Sequence, residues 1–290
     1  MKKRDSLYGI VFLLPSIILF SVFIFYPLIK TIYYSFYLTD FQGLPSIYVG
    51  LENYRELLLD PYFHDSLKAT MLFVIYTVPL TIILALFLSL LANEKLVGIR
   101  LYRTIFSSSI GISASVSAVI WLYLFHPSIG FINNFLGLFN IESIGWLTDP
   151  KWALISVSIA TIWMNLGFAF LIILGGLQNI DKNLYLSASI DGASYFYKLR
   201  RITLPMLSPT LFFITTVTLI NSFQSFGQID ILTGGGPDGK TNILVYSIFK
   251  EAFENYNYGV ASAQSIILFF IVLVITILQF KFSEKKVFYQ

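Results

Sequence analysis

One segment of this 290-residue chain matches a phosphate-binding motif letter for letter. Residues 234–241 read GGGPDGKT, which fits the pattern G-x-x-x-x-G-K-[ST] of nucleotide-binding loops. Such a loop follows a buried strand, whereas here an apolar stretch of membrane-spanning length comes first, and the charge pattern of the chain places the segment outside the cell. We therefore predict a tight Gly/Pro turn without a nucleotide site. A helix over 242–253 should follow and bury Ile243, Tyr246, Ile248, Phe249 and Phe253.

The residue types needed for catalysis or metal binding are scarce. The chain has no cysteine and two histidines, His64 and His126, without metal-ligand spacing. The run Ser107–Ser109 has no partner base, and no paired carboxylates that could relay protons lie within the apolar stretches. We predict no catalytic residue, metal or cofactor. A membrane-embedded enzyme is disfavoured, as is an ion-gradient-driven secondary transporter, which stays the alternative function.

Composition indicates an all-α polytopic membrane protein. Hydrophobic residues make up 56% of the chain and charged residues 12%, about half the usual share of a soluble protein. Six apolar stretches have about the 20 residues that a spanning helix needs. The first follows a basic start like that of a signal peptide, but it is too long and lacks a cleavage site, which predicts a retained helix. The stretches cover 10–36, 69–92, 105–125, 153–177, 208–231 and 259–281.

Charge sets the orientation of these six helices. With the N-terminus inside, the inner segments hold 13 of the 19 cations and net +8, whereas the outer segments net −5. An excess of Lys and Arg on the inner side is typical of cytoplasmic segments. We predict a bacterial cytoplasmic membrane protein with both termini in the cytoplasm.

Two connections are longer than a reversal of direction requires. The outer segment 37–68 contains Asn53–Leu59, which reads either as an amphipathic helix at the membrane interface or as a solvated cap. The inner segment 178–207 is amphipathic. It could lie on the bilayer, but its length favours docking to a cytoplasmic partner.

The inner segment contains a spaced set of small and apolar residues. It resembles the EAA loop of ABC-importer permeases, in which E-A-A, three residues, Gly, nine residues, Ile, one residue and Leu-Pro follow in order. Leu186 and Ser187 stand where the family often has Glu and Ala, so a charge-assisted contact of that Glu is not expected here. The remaining positions match in spacing and are Ala188, Gly192, Ile202, Leu204 and Pro205, with Asp191 and Ala193 beside the glycine.

This resemblance implies a type I importer permease architecture (MetI-like) and a transport subunit rather than an enzyme. The implied partners are a second permease subunit, two ATPase subunits and an extracytoplasmic solute-binding protein; the chain contacts membrane lipid and no nucleic acid. The loop would carry ATPase motion into the membrane. Two short helices that turn at Gly192 with φ > 0 would form a compact knob, and Pro205 would break the chain before helix five.

Other segments narrow the resemblance. Val49–Tyr54 (VGLENY) and Leu232–Pro237 (LTGGGP) resemble outer segments of the carbohydrate permeases in this family. The C-terminal part, including Ala263–Ser265 and Lys286–Gln290, is most similar to glycerol-3-phosphate importers. The implied function is import of a carbohydrate or a polyol phosphate such as glycerol-3-phosphate by alternating access.

A polar stripe marks a candidate solute path. The fifth apolar stretch carries polar residues at three- and four-residue spacings, hence on one helix face. Amides in hydrocarbon are costly unless satisfied, so the stripe should either bond neighbouring helices or form a hydroxyl-binding wall. It has no Lys or Arg, and phosphate recognition is expected on a partner. The stripe comprises Thr218, Asn221, Ser225 and Gln228, with Gln224 beside it and Asn165 and Trp163 on the fourth stretch.

These features divide the chain into three parts. Residues 1–68 hold the N-terminal tail, the first spanning helix and the outer amphipathic segment. Residues 69–282 form the permease core with helices two to six and loop 178–207. Residues 283–290 form a cytoplasmic tail.

The orientation can be tested with single cysteines, because the chain has none of its own. Asp238→Cys and Glu52→Cys should react with an impermeant thiol reagent added to intact cells, since both lie in outer segments. Lys198→Cys should react only after permeabilisation. Labelling of Lys198→Cys in intact cells would contradict the predicted topology.

Overall fold

A computed structural model describes residues 12–40, 42–94 and 97–283, with side chains to Lys281. The predicted basic N-terminus and all but the first residue of the predicted tail lie outside this range. Within it, five helices are long and apolar enough to cross a membrane, or six if one bent pair counts as a single span. This confirms the helical membrane fold.

The helices follow the apolar pattern of the sequence, and two short strands, β1 and β2, lie between the first and second spans. The first helix contains a wide turn at Ser21–Phe25. The elements are α1 (Phe12–Tyr34), β1 (Tyr37–Thr39), β2 (Pro45–Tyr48), α2 (Glu52–Leu59), α3 (Pro61–Asn93), α4 (Ile99–Ser107), α5 (Ala114–Leu124), α6 (Phe131–Gly137), α7 (Ala153–Gln178), α8 (Lys182–Ile190), α9 (Tyr195–Phe223), α10 (Gly227–Leu232), α11 (Leu244–Phe249) and α12 (Tyr258–Ser283).

Contacts divide the described chain into two units, residues 12–63 with 247–270 and residues 64–246 with 271–283. In the first unit, β1 and β2 form an antiparallel hairpin that the sequence did not predict. Buried Asn53 of α2 donates to the carbonyls of Ser35 and Tyr37, at 2.9 and 3.1 Å, and so ties α2 to the hairpin. The helix predicted at 53–59 is confirmed as α2.

The third apolar stretch is not the continuous helix that we predicted over 105–125. In the second unit, α4 continues through a 3-10 turn, Ser108–Gly111, and α5 then leaves at 109°. The Ser113 hydroxyl starts α5 by accepting from Val116 N at 3.3 Å, which supplies a cap to backbone donors that the break would leave unpaired. The hydroxyl of Ser109 accepts a hydrogen bond from Gly167 N of α7 at 3.0 Å.

The fifth stretch also differs from its prediction. Helix α9 begins at Tyr195, runs through Pro205 and ends at Phe223; α10 then begins at Gly227. Pro205 therefore does not break the chain. A π-helical segment, Leu199–Thr203, precedes it, and Leu204 N donates to Leu199 O in this wide turn, which makes room for the proline ring. Because α9 ends at Phe223, the prediction that Gln224, Ser225 and Gln228 share its face or border it is wrong.

The GGGPDGKT segment forms the predicted turn in the second unit, and α11 confirms the helix that should follow it. Ile243 and Tyr246 are buried and Ile248 and Phe249 are half-buried, but Phe253 is 61% exposed, so its predicted burial is wrong. It lies beyond α11 in a π turn, Lys250–Glu254, whose wider spacing rotates it out of the buried stripe.

Gly167 is one of the positions where packing leaves no room for a side chain. A Cβ there would lie 2.5 Å from Ser109 Oγ and 3.0 Å from Ile110 N. We expect Gly167→Ala to lower the free energy of unfolding by about 1–3 kcal/mol through overpacking. Gly175→Ala is the matched control on the same helix, because no described atom lies within 4 Å of its Cβ. Because alanine has a higher helix propensity than glycine, Gly175→Ala should leave the free energy of unfolding unchanged or raise it by up to about 1 kcal/mol.

Thermal denaturation of the purified variants measures both effects. Equal melting temperatures for Gly167→Ala and Gly175→Ala would contradict the close approach of α7 to the 3-10 turn.

Candidate functional site

The inner loop folds into α8 and the first turns of α9, which meet at a turn at Gly192. Only the first of the two predicted short helices is separate, because the second continues into the span. Asp181 caps α8 by accepting from Asn183 N at 2.9 Å. At the other end, Ala193 N donates to Ala188 O at 2.9 Å and Gly192 N to Ser189 O at 3.1 Å, while Gly192 has a φ of 72°. This pair of bonds is a Schellman motif, which requires a left-handed residue at the position of the glycine. The geometry explains the spacing of Ala188, Gly192 and Ala193.

Two side-chain bonds hold α8 against the first turns of α9, and we call residues 181–198, which include the first turn of α9, the knob. The hydroxyls of Tyr185 and Thr203 lie 3.0 Å apart, and Lys198 Nζ donates to Ser189 Oγ at 2.7 Å. Tyr185 also packs against a buried cluster that includes Ile180 and Leu207. Displacement of the knob would therefore move the ends of α7 and α9 that adjoin it.

The outward face of the knob is apolar and open. Leu186, Ile190 and Phe196 are 61%, 87% and 71% exposed. Several large apolar side chains exposed on one short segment indicate an interaction site. Of the remaining predicted loop residues, Ser187 and Asp191 are exposed, whereas Ala188, Ala193, Ile202, Leu204 and Pro205 are half-buried.

A second site lies where two spans are interrupted. A cavity of about 280 Å³ opens between the start of α5, the middle of α7 and the α9–α10 break. We call it the membrane cavity. It brings together five of the seven predicted path residues, which lie on α7, at the end of α9, in the break after it and on α10. Its polar lining is Asn165, Asn221, Gln224, Ser225 and Gln228.

Thr218 and Trp163 are not part of this lining. Thr218 is buried one helical turn away on α9, and the Trp163 ring packs edge-on against Trp121 at 6.1 Å. The sequence missed Ala114, Met164, Phe226 and Gly227, which complete the wall. Ser113 was the available signal for Ala114, because a serine before an apolar run is typical of a helix start.

Gln228 is the most constrained member of the membrane cavity. It is 1% exposed, and its Nε2 donates to Ser117 Oγ at 3.0 Å, which links α10 to α5. Its Oε1 is buried without a hydrogen-bond partner among the described residues. The described lining has amides and hydroxyls and no charged side chain. Such a surface suits a solute with hydroxyl groups.

A family comparison accounts for both the spans and the inner loop. Residues 65–287 match the family described as "Binding-protein-dependent transport system inner membrane component". The chain belongs to this family. The match covers every described span except α1 and contains the whole of the knob and the membrane cavity.

Two relatives that match over nearly the whole chain carry the same name. The "sn-glycerol-3-phosphate transport system permease protein UgpA" of Pectobacterium atrosepticum is 35% identical over 99% of this chain and 97% of its own length. The protein of the same name from Brucella abortus is 38% identical over 96% of this chain and 94% of its own length.

Solved structures show the same architecture. A bacterial ABC transporter involved in the import of the acidic polysaccharide alginate aligns with a TM-score of 0.84 and 25% identity, over 98% of this chain and 96% of that chain. The methionine ABC transporter MetNI, at 17% identity, shares the fold with a TM-score of 0.54 over 82% of this chain and 99% of that chain.

This permease is therefore an inner-membrane transport subunit of a binding-protein-dependent ABC importer, and it is not an enzyme. The predicted family, the MetI-like architecture and the general function are confirmed. The comparisons give no support to the ion-gradient-driven alternative.

Gly192 offers a test of the knob. At φ 72° a β-branched side chain is strained by about 1–3 kcal/mol, although no described atom lies within 4 Å of a Cβ there. Gly192→Val should lower ATP-driven uptake about tenfold or more, and Gly192→Asn should lower it less because Asn tolerates this conformation.

Gly98→Val is the matched control, since Gly98 has a φ of 80° and equal free space but lies outside the knob. Equal uptake by the two valine variants, at equal expression, would contradict a role of the knob in coupling ATP hydrolysis to transport.

Proposed function

We propose that this permease moves a small polyol phosphate of the glycerol-3-phosphate class into the cell by alternating access. A second permease subunit completes the pathway, two ATPase subunits supply the energy, and an extracytoplasmic binding protein delivers the solute. The names of the full-length relatives support the solute class. The structural relative imports alginate, an acidic polysaccharide, which agrees with an anionic, hydroxyl-rich solute.

The membrane cavity is the observation that carries this proposal. Non-helical backbone at membrane depth is tolerated where it lines a cavity, and both interruptions, at 112–113 and 224–226, border this one. The exposed amides of Asn221 and Gln224 can donate to and accept from solute hydroxyls. The cavity thus serves as the hydroxyl-recognition surface of the path, and the buried Gln228 serves mainly to hold α10 on α5.

The knob supplies the coupling contact. Its exposed apolar face fits a groove in an ATPase subunit, and the Leu186 position contributes apolar contact where the family often has a carboxylate. Tyr185 and Thr203 then transmit displacement to the inner ends of α7 and α9.

The proposed orientation places the knob and both termini in the cytoplasm. The excess of Lys and Arg in the inner segments supports it. The division into an N-terminal part (1–68), a permease core (69–282) and a tail (283–290) belongs to the same proposal.

Uptake by the reconstituted importer tests the solute path. Asn221→Leu and Gln224→Leu should each raise the KM for glycerol-3-phosphate uptake about fivefold or more, because each removes one hydrogen bond worth about 1 kcal/mol. Both side chains are exposed, so folding should be retained. Thr215→Val, also on α9 but outside the cavity, is the control and should leave KM unchanged.

An unchanged KM in both leucine variants would contradict the assignment of the path. Uptake of a neutral sugar but not of glycerol-3-phosphate would contradict the assignment of the solute.

A further inference from the structure

The GGGPDGKT turn borders a second cavity, and lysine side chains from three segments line this cavity. It measures about 230 Å³ and lies within the second unit, between the start of α3, the start of α7 and the turn. All three of these segments belong to the side that the charge pattern predicts to be extracytoplasmic. Three lysines line it: Lys68, Lys151 and Lys240. We call it the lysine cavity.

The turn fixes the backbone position of Lys240, whose side chain is exposed. Lys240 N donates to Pro237 O at 2.9 Å, and the two residues between them have φ values of 48° and 70°. This is a type I′ turn, for which Asp-Gly is a preferred pair. Buried Thr241 fastens its base by donating to Gly236 O at 2.6 Å. The conformation of the turn therefore needs Asp238, Gly239 and Thr241, whereas nothing in it requires a lysine at 240.

Three lysines and two carboxylates line the cavity, so its formal net charge is +1 (3 − 2). Asp65 and Asp238 also line the cavity, yet no ion pair joins them to the lysines within the part of the chain that the structure describes. Like charges gathered around one cavity repel each other, and they create a positive potential that attracts an anion. The ammonium groups are free to bind a phosphate, and the carboxylates are free to accept from hydroxyls.

The volume and position restrict the ligand further. The cavity is smaller than the ~300–1,000 Å³ typical of sites for drug-sized molecules, which fits a small solute rather than an oligosaccharide.

Leu154 lines the lysine cavity and Asn165 lines the membrane cavity. These residues are eleven positions apart, hence on one face of α7 and about 16 Å apart along its axis. The same face carries Ser158 and Thr161 between them.

We propose that the lysine cavity is an extracytoplasmic binding site for a phosphate monoester that carries hydroxyl groups. The three lysines contact the phosphate, and Asp65 and Asp238 contact the hydroxyls. The identity of the solute rests on the proposed function, and the lysine cavity would be the point at which this solute enters the subunit. The proposal differs from our expectation that only a partner recognises the phosphate. The polar stripe has no Lys or Arg, but three lysines lie at the cavity beside the start of α7.

Binding of phosphate to the isolated full-length chain tests the site. The protein is placed in phosphatidylcholine nanodiscs, and inorganic phosphate and glycerol-3-phosphate are titrated by calorimetry. Lys68→Gln/Lys151→Gln should raise the Kd for inorganic phosphate about tenfold, since two nearby charges are removed. Asp238→Asn should lower that Kd severalfold by removing repulsion. It should also reduce the preference for glycerol-3-phosphate over inorganic phosphate, because a hydroxyl contact is lost.

Lys250→Gln is the control, because Lys250 lies in a predicted outer segment but not at the cavity. It should leave both Kd values unchanged. A Kd for inorganic phosphate that does not change in the double lysine variant would overturn the site, as would an increase in Asp238→Asn. Loss of binding when phosphatidylglycerol replaces phosphatidylcholine, if it persists at high salt where the surface charge of the bilayer is screened, would show that a lipid headgroup is the occupant and would overturn the assignment to a solute.

The outcome is separable from that of the proposed function. Uptake of glycerol-3-phosphate by the importer without phosphate binding at the cavity would overturn the lysine site alone. Phosphate binding by the chain without such uptake would overturn the proposed solute alone.

Discussion

The close contact between Gly167 and the turn at Ser108–Gly111 is the constraint on which the membrane part of this permease depends. Inside a bilayer, backbone N–H and C=O groups have no water to pair with, so a helix can be interrupted only where other groups take over. Ser109 accepts from Gly167 N, and Ser113 caps α5. The absence of a side chain at Gly167 lets the turn approach α7 closely enough for the first of these bonds. The 109° bend follows from this arrangement.

The two interruptions are linked to each other. The Gln228–Ser117 bond joins α10 to α5, so the break after Phe223 is held against the bend after Gly111. The membrane cavity is the space that remains between them, and Asn165 of α7 adds an amide to the three that residues 221–228 supply. A site built on two interrupted helices can change shape through small rotations of either segment, as alternating access requires.

The proposed coupling contact and the proposed recognition sites share two helices. Tyr185 and Thr203 join the knob to the inner end of α9, and α7 begins at the lysine cavity, passes the membrane cavity and ends beside the knob. Motion imposed on the knob would therefore reach the cavity walls through rigid helices rather than through loops. This places the proposed solute entry, the hydroxyl-binding wall and the ATPase contact along one continuous element.

The sequence by itself determined the helical class, the approximate spans and the family, because hydropathy and the spacing around Gly192 are local properties of the chain. It also identified Asn165, Asn221, Gln224, Ser225 and Gln228 as polar residues in need of a partner or a cavity. Only the tertiary structure decided that α9 ends at Phe223, that the third span bends, and that Pro205 lies within a helix, because each depends on a contact or a wide turn made elsewhere. The convergence of Lys68, Lys151 and Lys240 was equally hidden, since these residues are brought together by packing of segments that lie far apart in the sequence.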